Sequence, residues 1–282
     1  MINIKYDRNE NSLRVELEKF TYFKPDELPL TVEYRRTISG LKQWDSQLNE
    51  GTWCLWNGGE NLNDVVITTA KGDHVMTRKF NVELDGDHIE KILYLYLKNL
   101  DHTPKGMVIG SHDGTFGHWT IPVFQGLSEA IIIDGSEPQF EEVKKNYAHL
   151  SNLKFYNEIV TIAGGEVDWM MGGSGFTDTI YKPVINIFLS DDQISHTTRQ
   201  SIGINELLER EGCKHLDWLH LDVEGIDVDL ILALKYRPTV IIFETMHIKQ
   251  PQMLELLDWI QDNDYKLIND GSNAIAIKNT YQ

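Results

Sequence analysis

Basic residues are in short supply in this chain. It carries 26 Lys and Arg against 43 Asp and Glu, a formal net charge of −17. Phosphate-rich partners are held by clustered Lys and Arg, and no such run occurs, so neither nucleic acid nor an anionic membrane surface is an expected partner. Cysteine is scarcer still. Cys54 and Cys213 stand far apart, in neither a disulfide framework nor a zinc-ligand spacing, and read as two free thiols in a reducing, cytoplasmic setting. No run of about 18 apolar residues is present, so no membrane span is expected. The first residues, Met1 to Asp7, lack the basic start and apolar core of a signal peptide. The dinucleotide spacing GxGxxG is missing too, which counts against a nicotinamide cofactor.

The remaining composition is that of a globular protein, 41% apolar with seven Trp in 282 residues. Ile2, Ile4 and Tyr6 alternate with polar residues, a turn follows at 7–11, and Leu13, Val15 and Leu17 alternate again, a hairpin pattern. Leu30–Tyr34 and Val65–Thr68 are further strands, so residues 1–84 read as a small antiparallel β domain. Trp44, Trp53 and Trp56 within it suit a small core or a dimer contact better than a sugar-stacking platform. Residues 85–105 read as a connector: Ile89, Ile92, Leu93 and Tyr96 fall at helical spacing, and residues 101–106 break the pattern.

From residue 106 to 282 the pattern becomes strand, loop, helix, repeated. Met107–Ile109, Ala130–Ile133, Leu153–Tyr156, Trp218–Leu221 and Val240–Phe243 read as successive strands. Ser136 with Gln139 makes a capping box with Pro138 at an early helical position. The helix that follows carries Phe140, Val143, Tyr147 and Leu150 on one face. Pro251–Ile260 reads as a helix with Leu254, Leu257 and Ile260 inward. Residues 265–268 and 274–277 close the chain as a hairpin. The expected fold is therefore α/β, a doubly wound, mostly parallel sheet with an antiparallel C-terminal edge strand. Residues 164–202, rich in Gly, fit least well and read as a hairpin with an insertion, either a lid or a surface excursion.

Candidate chemistry gathers at the strand ends, where doubly wound sheets bind ligands. Gly110-Ser111-His112-Asp113-Gly114 follows the first strand and lets backbone approach a ligand beside a helix N-terminus. Asp134, followed by Gly135 and Ser136, ends the second strand, where a carboxylate can accept both hydroxyls of a ribose; the alternative is a turn residue, and Glu137 is a rival acid. Asp222 and Glu224 end the fourth strand with the same parity, so an extended backbone aims both to one side. Their roles are general base, hydroxyl acceptor or metal ligand, against helix capping for Glu224. Glu244 and His247 end the fifth strand, and His247 is a better base candidate there than His74, His88, His149 or His215.

Taken in order, these stretches resemble the FkbM family of class I methyltransferases over roughly residues 105–278. The resemblance is carried by Ser201–Leu208, by Leu216-Asp217-Trp218-Leu219-His220-Leu221-Asp222-Val223-Glu224-Gly225, by Ile133-Asp134 through Asn146, and by Val240–Glu244. Counting back from Asn146 puts the family's ribose-binding acid on Asp134. Two positions depart from the family: Val108 stands where an acid is usual, with Asp113 nearby, and His220 replaces the usual Lys. The resemblance implies a Rossmann-like domain that binds S-adenosylmethionine and methylates a hydroxyl on a small molecule or glycan. Gly110, Ser111, His112, Asp113, Gly114, Asp134, Gly135 and Ser136 would then hold the cofactor, with Asp222, Glu224 and His247 as catalytic groups. In-line methyl transfer from a sulfonium needs alignment and a proton acceptor more than covalent help. Two alternatives stand beside it. One is a Mg²⁺-dependent sugar O-methyltransferase with Asp222 and Glu244 on the metal, although no metal is the first expectation. The other is a non-catalytic binding module that keeps the fold. Homo-oligomerisation is left open.

Overall fold

The computed structural model describes side chains for residues 89–279, except 115–116, 121–122, 124–125, 173–177 and 270, and backbone alone for the strands before them. The chain divides into two compact units, one of Met1–Tyr96 with Thr115–Gln125, the other of Leu97–Gly114 with Gly126–Gln282.

In the first unit, β1 (Ile2–Asp7), β2 (Ser12–Leu17), β3 (Leu30–Arg35), β4 (Lys42–Leu48), β5 (Gly51–Trp56), β6 (Asp64–Thr68) and β7 (His74–Lys79) form two antiparallel sheets, ordered β1-β2-β5 and β4-β3-β6-β7. The expected first hairpin pairs Ile2 with Leu17 and Tyr6 with Leu13. The side chains of Trp44, Trp53, Trp56, Cys54 and His74 lie outside the described residues. Helix α1 (His88–Lys98) follows.

The second unit is built on a seven-stranded sheet. Its strands are β8 (Lys105–Ile109), β9 (Glu129–Ile133), β10 (Leu153–Tyr156), β14 (Trp218–Leu221), β15 (Val240–Glu244), β16 (Tyr265–Asn269) and β17 (Asn273–Lys278), in the order β10-β9-β8-β14-β15-β17-β16. All pairings from β10 to β15 are parallel. These strands read as continuous apolar runs because both faces are covered: β14 and the first four residues of β15 are buried throughout. The antiparallel C-terminal strand is present, but it lies second from the edge, because the β16–β17 hairpin folds its second strand back into the sheet beside β15. At the base of the sheet the indole N–H of Trp218 donates to Ser128 Oγ at 2.8 Å, and its ring occupies the space a Cβ on Gly106 would need.

The chain order places a switch point between β8 and β14. Strands β8, β9 and β10 step outward on one side, and the chain then returns to the other side of β8. Doubly wound sheets bind ligands at such a point, outside the carboxyl ends of the strands. Before that return, β11 (Ile159–Thr161), β12 (Gly164–Met171) and β13 (Ser195–Gly203) form a separate three-stranded sheet ordered β11-β13-β12. The Gly-rich segment is thus a long β12–β13 hairpin that carries an insertion with α3 (Lys182–Phe188).

Helices α2 (Glu137–Asn146), α4 (Ile204–Arg210), α5 (Asp227–Ala233) and α6 (Gln250–Asp262) complete the unit. Of the stripe expected on α2, Val143 and the C-cap Tyr147 are fully buried, whereas Phe140 and Leu150, the latter past the helix end, are half-buried. On α6 the inward face differs from the expectation. Leu256 and Ile260 are buried with Met253 packed beside them, whereas Leu254 and Leu257 are 58% and 43% exposed. Both stripes satisfy helical spacing, and packing against the core selects the one that carries Leu256 and Ile260. Leu256→Ala should therefore cost about 2–5 kcal/mol in urea denaturation, and Leu257→Ala less than about 1 kcal/mol.

Candidate functional site

The glycine turn is fixed by close approach. Gly110 has φ +81°, and a Cβ on it would stand 1.7 Å from the backbone oxygen of Asp222. The loops after β8 and β14 are packed backbone to backbone here, and the Asp222 N–H donates to Ile109 O at 3.0 Å. The Gly110 and Ser111 N–H groups both donate to Ile133 O, at 3.0 and 3.2 Å, which ties the turn to β9. His112 sits at φ +50°, a left-handed conformation that His tolerates better than most residues. From α2, Asn146 Nδ2 donates to Asp113 O at 2.8 Å and the Tyr147 hydroxyl donates to Gly114 O at 2.9 Å.

Asp134 links the turn to the second strand. Its Oδ2 accepts the His112 N–H at 2.7 Å and its Oδ1 accepts the Ser136 N–H at 2.8 Å. Each oxygen keeps a second acceptor site, so these bonds orient the carboxylate and leave it able to take hydroxyl donors. Burial raises its pKa to about 6 and outweighs both hydrogen bonds and the nearby His112, which act downward. The rival Glu137 is exposed at the start of α2. The expected capping box is not formed: Ser136 is the N-cap, with no side-chain cap bond, and the Asp134 carboxylate takes its N–H instead. The backbone of this turn is held by Asn157 Nδ2, which donates to Asp134 O at 2.9 Å, and by the Arg199 guanidinium, which donates to Gly135 O and to Asn157 Oδ1. A cleft of about 450 Å³ opens beside it, lined by Ser136, Glu137, Trp169, Asp178 and Arg199 among others.

The parity argument for Asp222 and Glu224 fails. Strand β14 stops at Leu221, and Glu224 adopts φ +56°, so the two side chains are not on one extended strand. Glu224 is not the helix cap either. The N-cap is Ile226, and the Val223 and Gly225 N–H groups donate to Asp227, at 3.3 and 3.4 Å. The turn carries Glu224 toward β15 instead. His247 Nε2 lies 3.5 Å from Glu224 Oε2 and 3.7 Å from Glu244 Oε2. Asp222 stands at the glycine turn and is not one of these three. The Thr179 hydroxyl donates to Glu224 O at 3.0 Å, the Tyr181 ring fills the space a Cβ on Gly225 would take, and Phe188 meets His247 edge-on. The insertion between β12 and β13 therefore walls this cluster.

Burial governs the electrostatics. It lifts Glu224 to about 7, with the charge of Asp227 adding to it and His112 opposing. It lifts Glu244 to about 8, with Glu224 and Asp227 adding. It lowers His247. Burial thus favours the uncharged form of all three groups, and an uncharged imidazole can accept a proton. Sequence reasoning placed Glu224, Glu244 and His247 at one rim but missed Arg199, Asn157, Thr179 and Tyr181. These are ordinary polar residues in alternating strands or loops, with nothing in their spacing to mark them.

A doubly wound sheet with the order β10-β9-β8-β14-β15-β17-β16 and a glycine turn and acid at the switch point defines the class I methyltransferase fold, and the family follows from sequence. The model of the methyltransferase FkbM domain matches residues 109–267, more than half of the chain, which belongs to that family. No curated protein sequence matches the chain. Among solved structures it is similar to a ribosomal protein L11 methylase from Lactobacillus delbrueckii subsp. bulgaricus (12% identity, 70% of this chain and 82% of that one, TM-score 0.35). It is also similar to an O-methyltransferase from Bacillus cereus in complex with SAH (14%, 67% and 79%, 0.38) and a human methyltransferase 10 domain containing protein (13%, 69% and 83%, 0.40). Among the described residues no helix is long and apolar enough to cross a membrane.

Two outcomes follow from this geometry. Gly110→Ala forces the β8 and β14 loops apart and should lower stability by about 3 kcal/mol. Asp134 is raised from 3.8 to about 6, so the folded chain holds a proton that the unfolded chain releases. Its contribution to stability is present below about pH 4 and is lost as pH rises through 6. Urea denaturation of Asp134→Asn in chelator-containing buffer should show a shallower fall in stability over that window than the parent protein.

Proposed function

We propose that this protein transfers the methyl group of S-adenosylmethionine to a hydroxyl of a small molecule or glycan. The observation that carries the reading is the joining of two groups at one sheet edge: the Asp134 turn with its adjoining cleft, and the Glu224–Glu244–His247 cluster. The residues present suit the cofactor. Glu137 and Asp178 beside the cleft favour a cationic sulfonium nucleoside, Trp169 offers an apolar ring, and Asp134 is oriented with acceptor sites to spare.

The bound cofactor supplies an electrophilic methyl group. The chain's own part is to hold the acceptor in line and take its proton. Neutral His247 is the group fitted to accept that proton, and Glu224 at 3.5 Å stabilises the imidazolium once it forms. Asp222, whose backbone packs against the glycine turn, is the group we assign to orient the acceptor hydroxyl. The insertion that walls the cluster limits water.

Calorimetric titration with S-adenosylmethionine tests the reading directly. Saturable binding is expected, weakened about tenfold or more in Asp134→Ala and unchanged within about twofold in His247→Gln. The absence of heat at high micromolar cofactor would overturn it. With an acceptor in hand, His247→Gln should lower kcat by about 10²–10⁴-fold.

A further inference from the structure

Glu224, Glu244 and His247 form a donor set with no internal solution to its own polarity. The His247 side chain keeps only 10% of its surface exposed, and Glu224 and Glu244 keep 22% and 14%. Yet Nε2 of His247 stands 3.5 and 3.7 Å from the two carboxylates, beyond hydrogen-bond range, and it has no other polar partner among the described residues. Glu244 Oε2 is buried without a hydrogen bond. No Lys or Arg pairs with either carboxylate among the described residues. Buried polar groups are ordinarily hydrogen-bonded, and buried carboxylates that lack such partners are ordinarily paired with a cation or bound to a metal.

One ligand atom from each residue lies within 4.8 Å of the others. An ion with donors at about 2.0–2.2 Å holds them about 3.3 Å apart in tetrahedral geometry, a spacing that a small inward movement of the three side chains provides. The positions are also well supported. Glu224 is carried by a left-handed turn whose carbonyl is held by Thr179, Glu244 ends a buried strand, and His247 packs against Phe188.

We propose that Glu224, Glu244 and His247 bind one divalent transition-metal ion of the Mn²⁺ or Zn²⁺ type. Two carboxylates with an imidazole select such ions over Mg²⁺ and Ca²⁺, which take oxygen donors almost alone. Asp222 is not a ligand. The site's existence is independent of the function proposed above, but its use rests on that reading. Bound there, the ion would leave positions open to the acceptor oxygen and would lower the pKa of that hydroxyl, whose proton would pass to Asp222 or to a water on the ion. That oxygen then forms its bond to the methyl carbon as the carbon–sulfur bond breaks and its electron pair leaves on the thioether sulfur. In the loaded enzyme, His247 is a ligand and the ion replaces it as the activating group.

The test uses the full chain, stripped with EDTA, returned to chelator-free buffer and titrated with MnCl₂ while free Mn²⁺ is read by electron paramagnetic resonance. One ion per chain is expected. Glu244→Gln and His247→Gln should each weaken uptake by about tenfold or more, and Glu255→Gln on the exposed face of α6 should leave it unchanged. Circular dichroism of each variant separates lost ligation from lost folding, with Glu224→Gln as a third ligand variant. Absence of saturable uptake by the parent protein, or uptake indifferent to every ligand variant that folds, overturns the proposal. Equal competition by Mg²⁺ overturns the assignment to a transition metal. Calorimetry with S-adenosylmethionine on the metal-free chain runs in parallel. Cofactor binding without Mn²⁺ uptake sinks the metal site alone, and the reverse sinks the methyl-transfer reading alone.

Discussion

The carboxylate of Asp134 accepts one N–H from the glycine turn and one from the start of α2, and the geometry of the ligand edge depends on that bridge. The same loop is also tied to β9 through Ile133 O, which accepts the Gly110 and Ser111 N–H groups. The bridge is made in spite of burial, which raises the carboxyl to about 6. Two short charge-assisted bonds recover part of that cost, and the protein accepts the remainder in exchange for a carboxylate held in one orientation. Asn157 and Arg199 do the same for the backbone on the other side of the turn. Loops at a switch point have few neighbours of their own, so precision there comes from such cross-links.

The same logic governs the opposite wall of the crevice. Glu224, Glu244 and Asp227 are three acids in a small volume, and each is pushed upward by burial. Asp227 is satisfied locally by the Val223 and Gly225 amides, which fix the start of α5. Among the described residues, Glu224 and Glu244 have no such amides. They remain open to a proton or an ion, unlike Asp227, whose carboxylate is already held. Their shared neighbour His247, pushed downward by burial, completes a group in which protonation states are set apart by environment rather than by residue type.

Much of this was legible in the sequence. Apolar runs such as Val240–Phe243 are long enough for a strand and flanked by turns, and burial on both faces leaves no other reading. Asp134 was legible because strand end, turn and helix start coincide there. Other features were not. The α6 register was ambiguous because Met253-Leu254-Glu255-Leu256-Leu257 offers apolar residues on two adjacent faces, and tertiary packing chose between them. The parity of Asp222 and Glu224 misled, since alternation holds only while the strand lasts, and β14 ends one residue earlier. The partnership of Glu224 with Glu244 joins positions from neighbouring strands, and no local spacing encodes it. Arg199 acts through a carbonyl 64 residues away in sequence.

The insertion between β12 and β13 joins these observations. A surface excursion would be free to vary around the hairpin, but this one makes contacts that converge on a single point. Thr179 holds the carbonyl of Glu224, Tyr181 packs over Gly225 while its hydroxyl receives the Lys249 ammonium at 2.8 Å, and Phe188 closes on His247. Each contact lands on the β14 or β15 loop that supplies the cluster. Glu224 would pay a strain cost of order 1–3 kcal/mol for its left-handed backbone if nothing held it, and Thr179 and Tyr181 are the groups in place to hold it. A segment that the sequence left open between a lid and a surface excursion thereby helps to keep two acids and an imidazole facing one another.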